Sequence, residues 1–198
     1  MSWTALLPVK HPDHRKTRLS PALSAADRRR LSEQLFKQVT LVLSASREVG
    51  RIVTLSPMPV ASLDWIEDDG RGLNLELAAA LERLEGEQVF VVHSDLPLLQ
   101  PADVAALLNT AQTYGAAIAP DLAGLGTNAL AMVDWRGFGL AFGHDSCARH
   151  MRSAAEIGVE LKPVTRLGLG LDIDLPADLE RAAIYGFQVH APIAASQS

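Results

Sequence analysis

The chain has 198 residues, 48% of them hydrophobic and 21% charged, with a formal net charge of −5. That size suits one domain of ordinary soluble composition, expected over residues 1–190, and the negative balance argues against a general nucleic-acid binder, which needs a basic footprint. Cys147 is the only cysteine, so no intrachain disulfide can form. With no signal-peptide core and no apolar run long enough to span a bilayer, a reducing, cytoplasmic setting is expected, without a membrane partner.

Thr4 to Val9 is a short apolar run that fits a central strand. Lys10 to Ser24 is a polar, cation-rich loop, and Ser24 is placed to cap a helix from Ala25 to about Glu48, whose Leu31, Leu35, Val39 and Val42 or Leu43 recur at helical spacing. Gly50 is expected to stop that helix before a strand over Arg51 to Ser56. Pro57 to Ser62 reads as a turn, and Asp64 to Asp69 as a lead into the turn Gly70 to Asn74. A helix over Leu75 to Leu84 follows. Gln88 to His93 has the apolar run of a buried parallel strand. Pro101 suits the first turn of a helix ending at Gly115. Strands are expected at Ala116 to Pro120, Ala129 to Asp134 and Val159 to Val164, with a helix at Ser146 to Ile157. Gly168 to Asp174 reads as Gly-rich backbone leading into a last helix from Pro176 to near Gly186, and the tail 191–198 as disordered.

Strands alternating with helices imply an α/β three-layer sandwich around a mostly parallel sheet. Ligands bind such sheets outside the carboxyl ends of the strands. The Lys10 loop, the Asp95 turn and the loop Asp121 to Asn128 all follow strands and share that edge. In an extended segment alternate side chains point the same way, so Asp172 and Asp174 should face together. With Asp95 they offer three carboxylates, a set that repels itself without a cation. Hard oxygen ligands suit Mg²⁺, which commonly also meets substrate phosphates. Lys10, Lys16 and Arg18 are placed to neutralise a triphosphate. Neither a P-loop nor a dinucleotide-binding glycine fingerprint is present.

Several pieces occur in a fixed order: Pro8-Val9-Lys10, Lys16-Thr17-Arg18-Leu19, Gly72-Leu73-Asn74, Ser94 to Leu99, Ala119-Pro120-Asp121, Gly126 to Leu130, Phe142-Gly143 with Ser146 and His150, and Leu171 to Asp174. Together they resemble the phospholactate guanylyltransferase family of deazaflavin coenzyme (coenzyme F(420)) biosynthesis. The family's fold is similar to that of the molybdenum-cofactor guanylyltransferases, a nucleotide-diphospho-sugar transferase-like architecture. The resemblance implies that a small phosphorylated acid (2-phospholactate, phosphoenolpyruvate or 3-phosphoglycerate) attacks the α-phosphorus of GTP and displaces pyrophosphate. It implies Asp95, Asp172 and Asp174 as Mg²⁺ ligands, and Asp95, Lys10 and Lys16 as the catalytic groups. Thr127, Gly143 and Ser146 would seat the acid, with Asn128 orienting it or holding the loop. Lys10, Lys16, Arg18, Gly72 and Asn74 would meet the nucleotide. Leu122 stands where members often carry arginine, and Cys147 where a larger apolar residue is expected. A homodimer is compatible with the apolar surface.

The alternatives are a related nucleotidyltransferase with a sugar-phosphate or molybdopterin acceptor, a haloacid-dehalogenase-type phosphatase built on Asp172-Ile173-Asp174, and a non-catalytic module. In the phosphatase the D-x-D follows the first strand, whereas here it lies near the C-terminus. Each assigned residue also has a plain structural use: Asp95 in a turn, Asp174 or Ser146 as a helix cap, Gly143 in a turn, Asn74 at a helix start. His150 is expected to be structural or a substrate-edge contact and Cys147 no nucleophile. A phosphate attacks as an anion, so no general base is required.

Overall fold

A computed structural model describes residues 2–11, 16–60 and 63–189. Residues 12–15, within the cationic loop, and the expected disordered tail lie outside the described residues. The elements are β1 (Trp3–Pro8), α1 (Ala25–Ala45), β2 (Val49–Ser56), β3 (Asp64–Glu67), α2 (Leu73–Arg83), β4 (Gln88–Val92), α3 (Pro101–Tyr114), β5 (Ala116–Pro120), β6 (Thr127–Met132), α4 (Ser146–Glu156), β7 (Lys162–Pro163), α5 (Leu167–Gly170) and α6 (Pro176–Ile184). One sheet runs in the order β3-β2-β1-β4-β6-β5-β7. All pairings are parallel except those of β6, which runs antiparallel to both β4 and β5.

The strands β1, β4 and β6 are buried on both faces, which is why they are mostly apolar, with Val89 to Val92 of β4 an unbroken apolar run. On one face Leu7, Phe90 and Ala131 pack with Val39 and Leu43 of α1 and Leu107 and Leu108 of α3. On the other, Leu6, Val91 and Leu130 pack with Leu77 and Ala80 of α2 and Ala154 of α4. Helices on both faces of one sheet make the expected three layers. Among the described residues no helix is long and apolar enough to cross a membrane.

A third, smaller core decides the geometry of the site. Leu19, Leu31 and Leu35 enclose Leu171 and Ile173, together with Ala182 and Phe187 near the C-terminus. Leu171 and Ile173 are 2% and 0% exposed. Period-two alternation then turns Asp172 and Asp174 away from that core, although the segment forms no ladder of its own.

Four local readings differ from the structure. α1 ends at Ala45, and Gly50 lies inside β2, where a Cβ would come within 2.6 Å of the Ser2 hydroxyl oxygen; close packing, not a helix stop, explains it. Asp64 to Glu67 is an edge strand, hidden from pattern reading because it is mostly exposed. The strand expected over Val159 to Val164 shrinks to two residues at the other edge. Leu167 to Gly170 forms one helical turn, seated where a Cβ on Gly168 would collide with Asp103 Oδ2 and lie 2.7 Å from the Leu98 carbonyl.

Candidate active site

A cleft of about 670 Å³ opens at the sheet edge where β1, β4 and β5 end and β6 begins. Lys10, Lys16, Arg18, Asp95, Thr127, Asn128, Gly143, Ser146, Asp172 and Asp174 all line it. Two of the expected site residues, Gly72 and Asn74, do not, although Asp68 and Leu73 from the same stretch do.

The acidic cluster is assembled by a tertiary hydrogen bond. The Ile173 N–H donates to the Asp95 carbonyl at 3.2 Å, tying the segment after α5 to the turn after β4. Carboxylate oxygens of Asp95, Asp172 and Asp174 then lie within 4.8 Å of one another. The cap of α6 does not consume Asp174. Asp178 reaches back to accept from the backbone N–H groups of Asp174 and Leu175 at 3.0 and 2.7 Å.

Lys16, in a left-handed conformation (φ 53°), places its ammonium 2.5 Å from Asp95 Oδ2 and 3.2 Å from Asp174 Oδ1. Arg18 approaches Asp174 at 3.9 Å. Burial alone would lower the Lys16 pKa, but the two carboxylates outweigh it and hold it above the ordinary range. Burial likewise pushes Asp95 up, and the Lys16 charge overcomes it, so Asp95 stays ionised. Asp172 is affected less strongly by Lys16 than by burial. Burial, then the charges of Asp95 and Asp174, push its carboxyl up to about 6.

These residues fit a hard divalent cation. Asp95 Oδ1 is buried and has no hydrogen-bond partner among the described residues, an arrangement that costs free energy unless something charged completes it.

Across the cleft, the loop after β5 closes on Asp121. Its carboxylate accepts from the Leu125 N–H, and it packs where a Cβ on Gly126 would lie 2.7 Å away. The loop delivers Thr127 and Asn128 to the start of β6. The Asn128 amide donates to the carbonyls of Leu169 and Gly170 and to Asp172 Oδ1. Asn128 therefore holds α5 and the acidic segment in place. Leu122 packs on Gly170 and donates its N–H to the Gly170 carbonyl, supporting the same turn.

Asn74 is engaged by the backbone of the loop before α4. Its side chain pairs with both backbone groups of Phe142, donating to the carbonyl at 3.1 Å and accepting from the N–H at 2.8 Å. Gly72, at φ 101°, precedes α2 and makes the turn. Sequence reasoning passed over Glu76, which clamps that turn. It accepts from the Arg71 N–H and guanidinium, and Arg71 holds its carboxyl down at about 2. A glutamate in the first turn of a predicted helix was the available signal.

Gly143 has φ 118°, a conformation side chains rarely adopt. Ser146 opens α4 with its N–H on the Gly143 carbonyl, and the Cys147 N–H is taken by the Leu125 carbonyl. The anion-binding capacity of this helix start is thus partly spent on backbone. Cys147 is buried, and burial pushes its thiol pKa up, away from the reactive thiolate. His150 is wholly buried between Thr127 and Ala141.

The family model described as "Guanylyl transferase CofC like" matches residues 3–192. A phosphoenolpyruvate guanylyltransferase of Sphaerobacter thermophilus is 34% identical, the alignment covering 99% of this chain and 97% of that protein. A 2-phospho-L-lactate guanylyltransferase of Methanothermobacter thermautotrophicus is 33% identical over 96% of this chain and 88% of its own. The crystal structure of 2-C-methyl-D-erythritol 4-phosphate cytidylyltransferase from Thermus thermophilus superposes with a TM-score of 0.60 at 18% identity, covering 93% and 98% of the two chains; at that identity it speaks for the fold alone. On the family match and these relatives, the chain belongs to the CofC-like guanylyl transferase family.

Proposed function

We propose that the protein transfers the guanylyl group of GTP to a small phosphorylated acid of the phosphoenolpyruvate, 2-phospholactate or 3-phosphoglycerate kind, releasing pyrophosphate. The observation that carries this reading is the meeting, in one cleft, of a three-carboxylate cluster holding Lys16 with Thr127, Gly143 and Ser146. Family membership supplies the guanylyl chemistry, and the relatives' names supply the class of acid.

In the reaction an oxygen of the acid's phosphate forms a bond to the α-phosphorus, and the bond from that phosphorus to the bridging oxygen breaks. Pyrophosphate carries away the electron pair. The attacking phosphate is already anionic, so no proton needs removing. Asp95, Asp172 and Asp174 would hold magnesium, which when bound neutralises charge on the attacking and departing phosphates. Lys10, Lys16 and Arg18 line the same edge and supply further positive charge to the triphosphate. Thr127 and Ser146 offer hydroxyl groups, and Gly143 close backbone approach, to the carboxylate and phosphate of the acid. Rate enhancement then rests on alignment and charge neutralisation.

The test is mass spectrometry of products after incubation with GTP, magnesium and each of the three acids. The expected result is pyrophosphate and a guanosine diphospho-acid with at least one of them. GTP left intact with all three would overturn the reading.

A further inference from the structure

We propose that His150 is a positioning residue that fixes the Thr127 hydroxyl as a hydrogen-bond donor pointing into the cleft, so that the seat accepts an anionic oxygen. The proposal rests on the reading that Thr127 belongs to the acid's seat.

His150 lies four residues after Ser146 on α4, so the two side chains share one face of the helix. Its ring is wedged between aromatic neighbours. Phe138 stacks at 5.8 Å and Phe142 meets it edge-on at 4.7 Å, measured between ring centroids. The ring has no exposed surface.

Its two nitrogens have unequal partners. The Ala141 backbone N–H donates to Nε2 at 2.9 Å. A backbone N–H can only donate, so Nε2 presents a lone pair and carries no proton. An imidazolium, or the tautomer protonated at Nε2, would set two N–H groups against each other. The remaining form is neutral imidazole protonated at Nδ1. Burial also favours this neutral state, lowering the ring's pKa to about 4.

Nδ1 lies 3.0 Å from Thr127 Oγ1. The imidazole therefore donates, and the threonine oxygen accepts. A hydroxyl has one proton, and this bond leaves it unused. Among the described residues Thr127 Oγ1 makes no second hydrogen bond. Thr127 is 2% exposed, yet it lines the cleft. Its proton is thus available at the cleft floor, where an ionised oxygen is its strongest partner.

An isolated threonine hydroxyl rotates and can meet donors or acceptors alike. The chain from the Ala141 N–H through His150 to Thr127 removes that ambivalence. A carboxylate or phosphate oxygen completes it, and a ligand group that must itself donate meets a proton. The same histidine anchors Ala141, two residues before Gly143, so one side chain sets both the polarity and the backbone of the seat.

Two measurements test this. Long-range ¹H–¹⁵N NMR of the full-length wild-type protein at neutral pH should find His150 protonated at Nδ1 and bare at Nε2. A proton on Nε2 would overturn the proposal, and this reading needs no variant to fold. The second compares kinetics of T127V, H150Q and the double variant with GTP and the acid that supports turnover. Glutamine can reach Ala141 with its amide oxygen but places no donor at the Nδ1 position. H150Q should raise KM for the acid about five- to tenfold, the worth of one buried neutral hydrogen bond, and leave KM for GTP unchanged. T127V should do the same, and the double variant should match T127V alone. Multiplying effects, or an unchanged acid KM in H150Q beside a raised one in T127V, would remove His150's part while leaving the seat intact. An unchanged acid KM in T127V would remove the seat reading and the proposal with it.

Discussion

The ammonium of Lys16 sits 2.5 Å from Asp95 Oδ2 and bridges to Asp174 at 3.2 Å, filling space between two of the three clustered carboxylates. Its positive charge stands where a divalent cation would compete for the same oxygens. Removing one partner of such a pair strands the other's charge, typically at a cost of about 3 kcal/mol. K16M should therefore lower the melting temperature in metal-free buffer and recover on adding Mg²⁺ or Mn²⁺. Manganese titration followed by electron paramagnetic resonance should show K16M binding at least as tightly as the wild type. Weaker binding would argue that Lys16 helps to build the cation site.

Asp95→Asn keeps the shape of the side chain and removes its charge. Turnover should fall by roughly 10²–10³-fold, the loss expected on removing one electrostatic element of such a site. Far-UV circular dichroism should stay near wild type, while the unfolding midpoint in metal-free buffer should fall, because the buried Lys16 ammonium loses a carboxylate partner. Steady-state pyrophosphate release checks the first outcome.

Asn74 gives a sharper kinetic contrast. Its amide holds both backbone groups of Phe142, next to Gly143. N74A should raise KM for the acid by about tenfold, as two neutral hydrogen bonds are lost, with little change in KM for GTP. The reverse split would assign Asn74 to the nucleotide, the role expected from the sequence.

Gly168→Ala tests the support beneath the acidic segment. The added Cβ would collide with Asp103 Oδ2 and meet the Leu98 carbonyl at 2.7 Å, and Asp103 is already bound to Arg166. Overpacking of this kind costs about 1–3 kcal/mol. Because α5 leads directly into Asp172, divalent affinity should fall together with stability, which calorimetry can follow.

His150 also gives a pH signature. Its folded pKa, about 4, is depressed below the usual value of 6.5, so the folded state binds fewer protons than the unfolded one between these limits. This contribution to stability is fully present above pH 6.5 and is lost as pH falls toward 4, amounting to about 3 kcal/mol. Urea midpoints measured across that window should fall more steeply for the wild type than for H150Q. Parallel curves would show that His150 does not titrate as buried.

Much of this was legible in the chain itself. Leu171-Asp172-Ile173-Asp174 carries its own instructions: two apolar side chains seek a core, and alternation turns the two acids outward. The apolar runs of β1 and β4 likewise announce strands buried on both faces. What could not be read was pairing between distant side chains. Nothing near Asn74 indicates that its partner is the backbone of Phe142, and nothing near Asp178 shows that it relieves Asp174 of capping. The edge strand β3 escaped because its exposed residues leave no apolar period, and α5 because Gly168 packs against Asp103 and Leu98, far away in sequence.

Asp95, Asp172 and Asp174 are proposed to bind one cation jointly. Anomalous scattering from crystals grown with Mn²⁺ and GTP tests it most directly. A manganese peak is expected within coordination distance of all three carboxylates, with Lys16 displaced from Asp95 toward the nucleotide phosphates. A peak elsewhere, or Lys16 still seated between Asp95 and Asp174 with nucleotide bound, would contradict it.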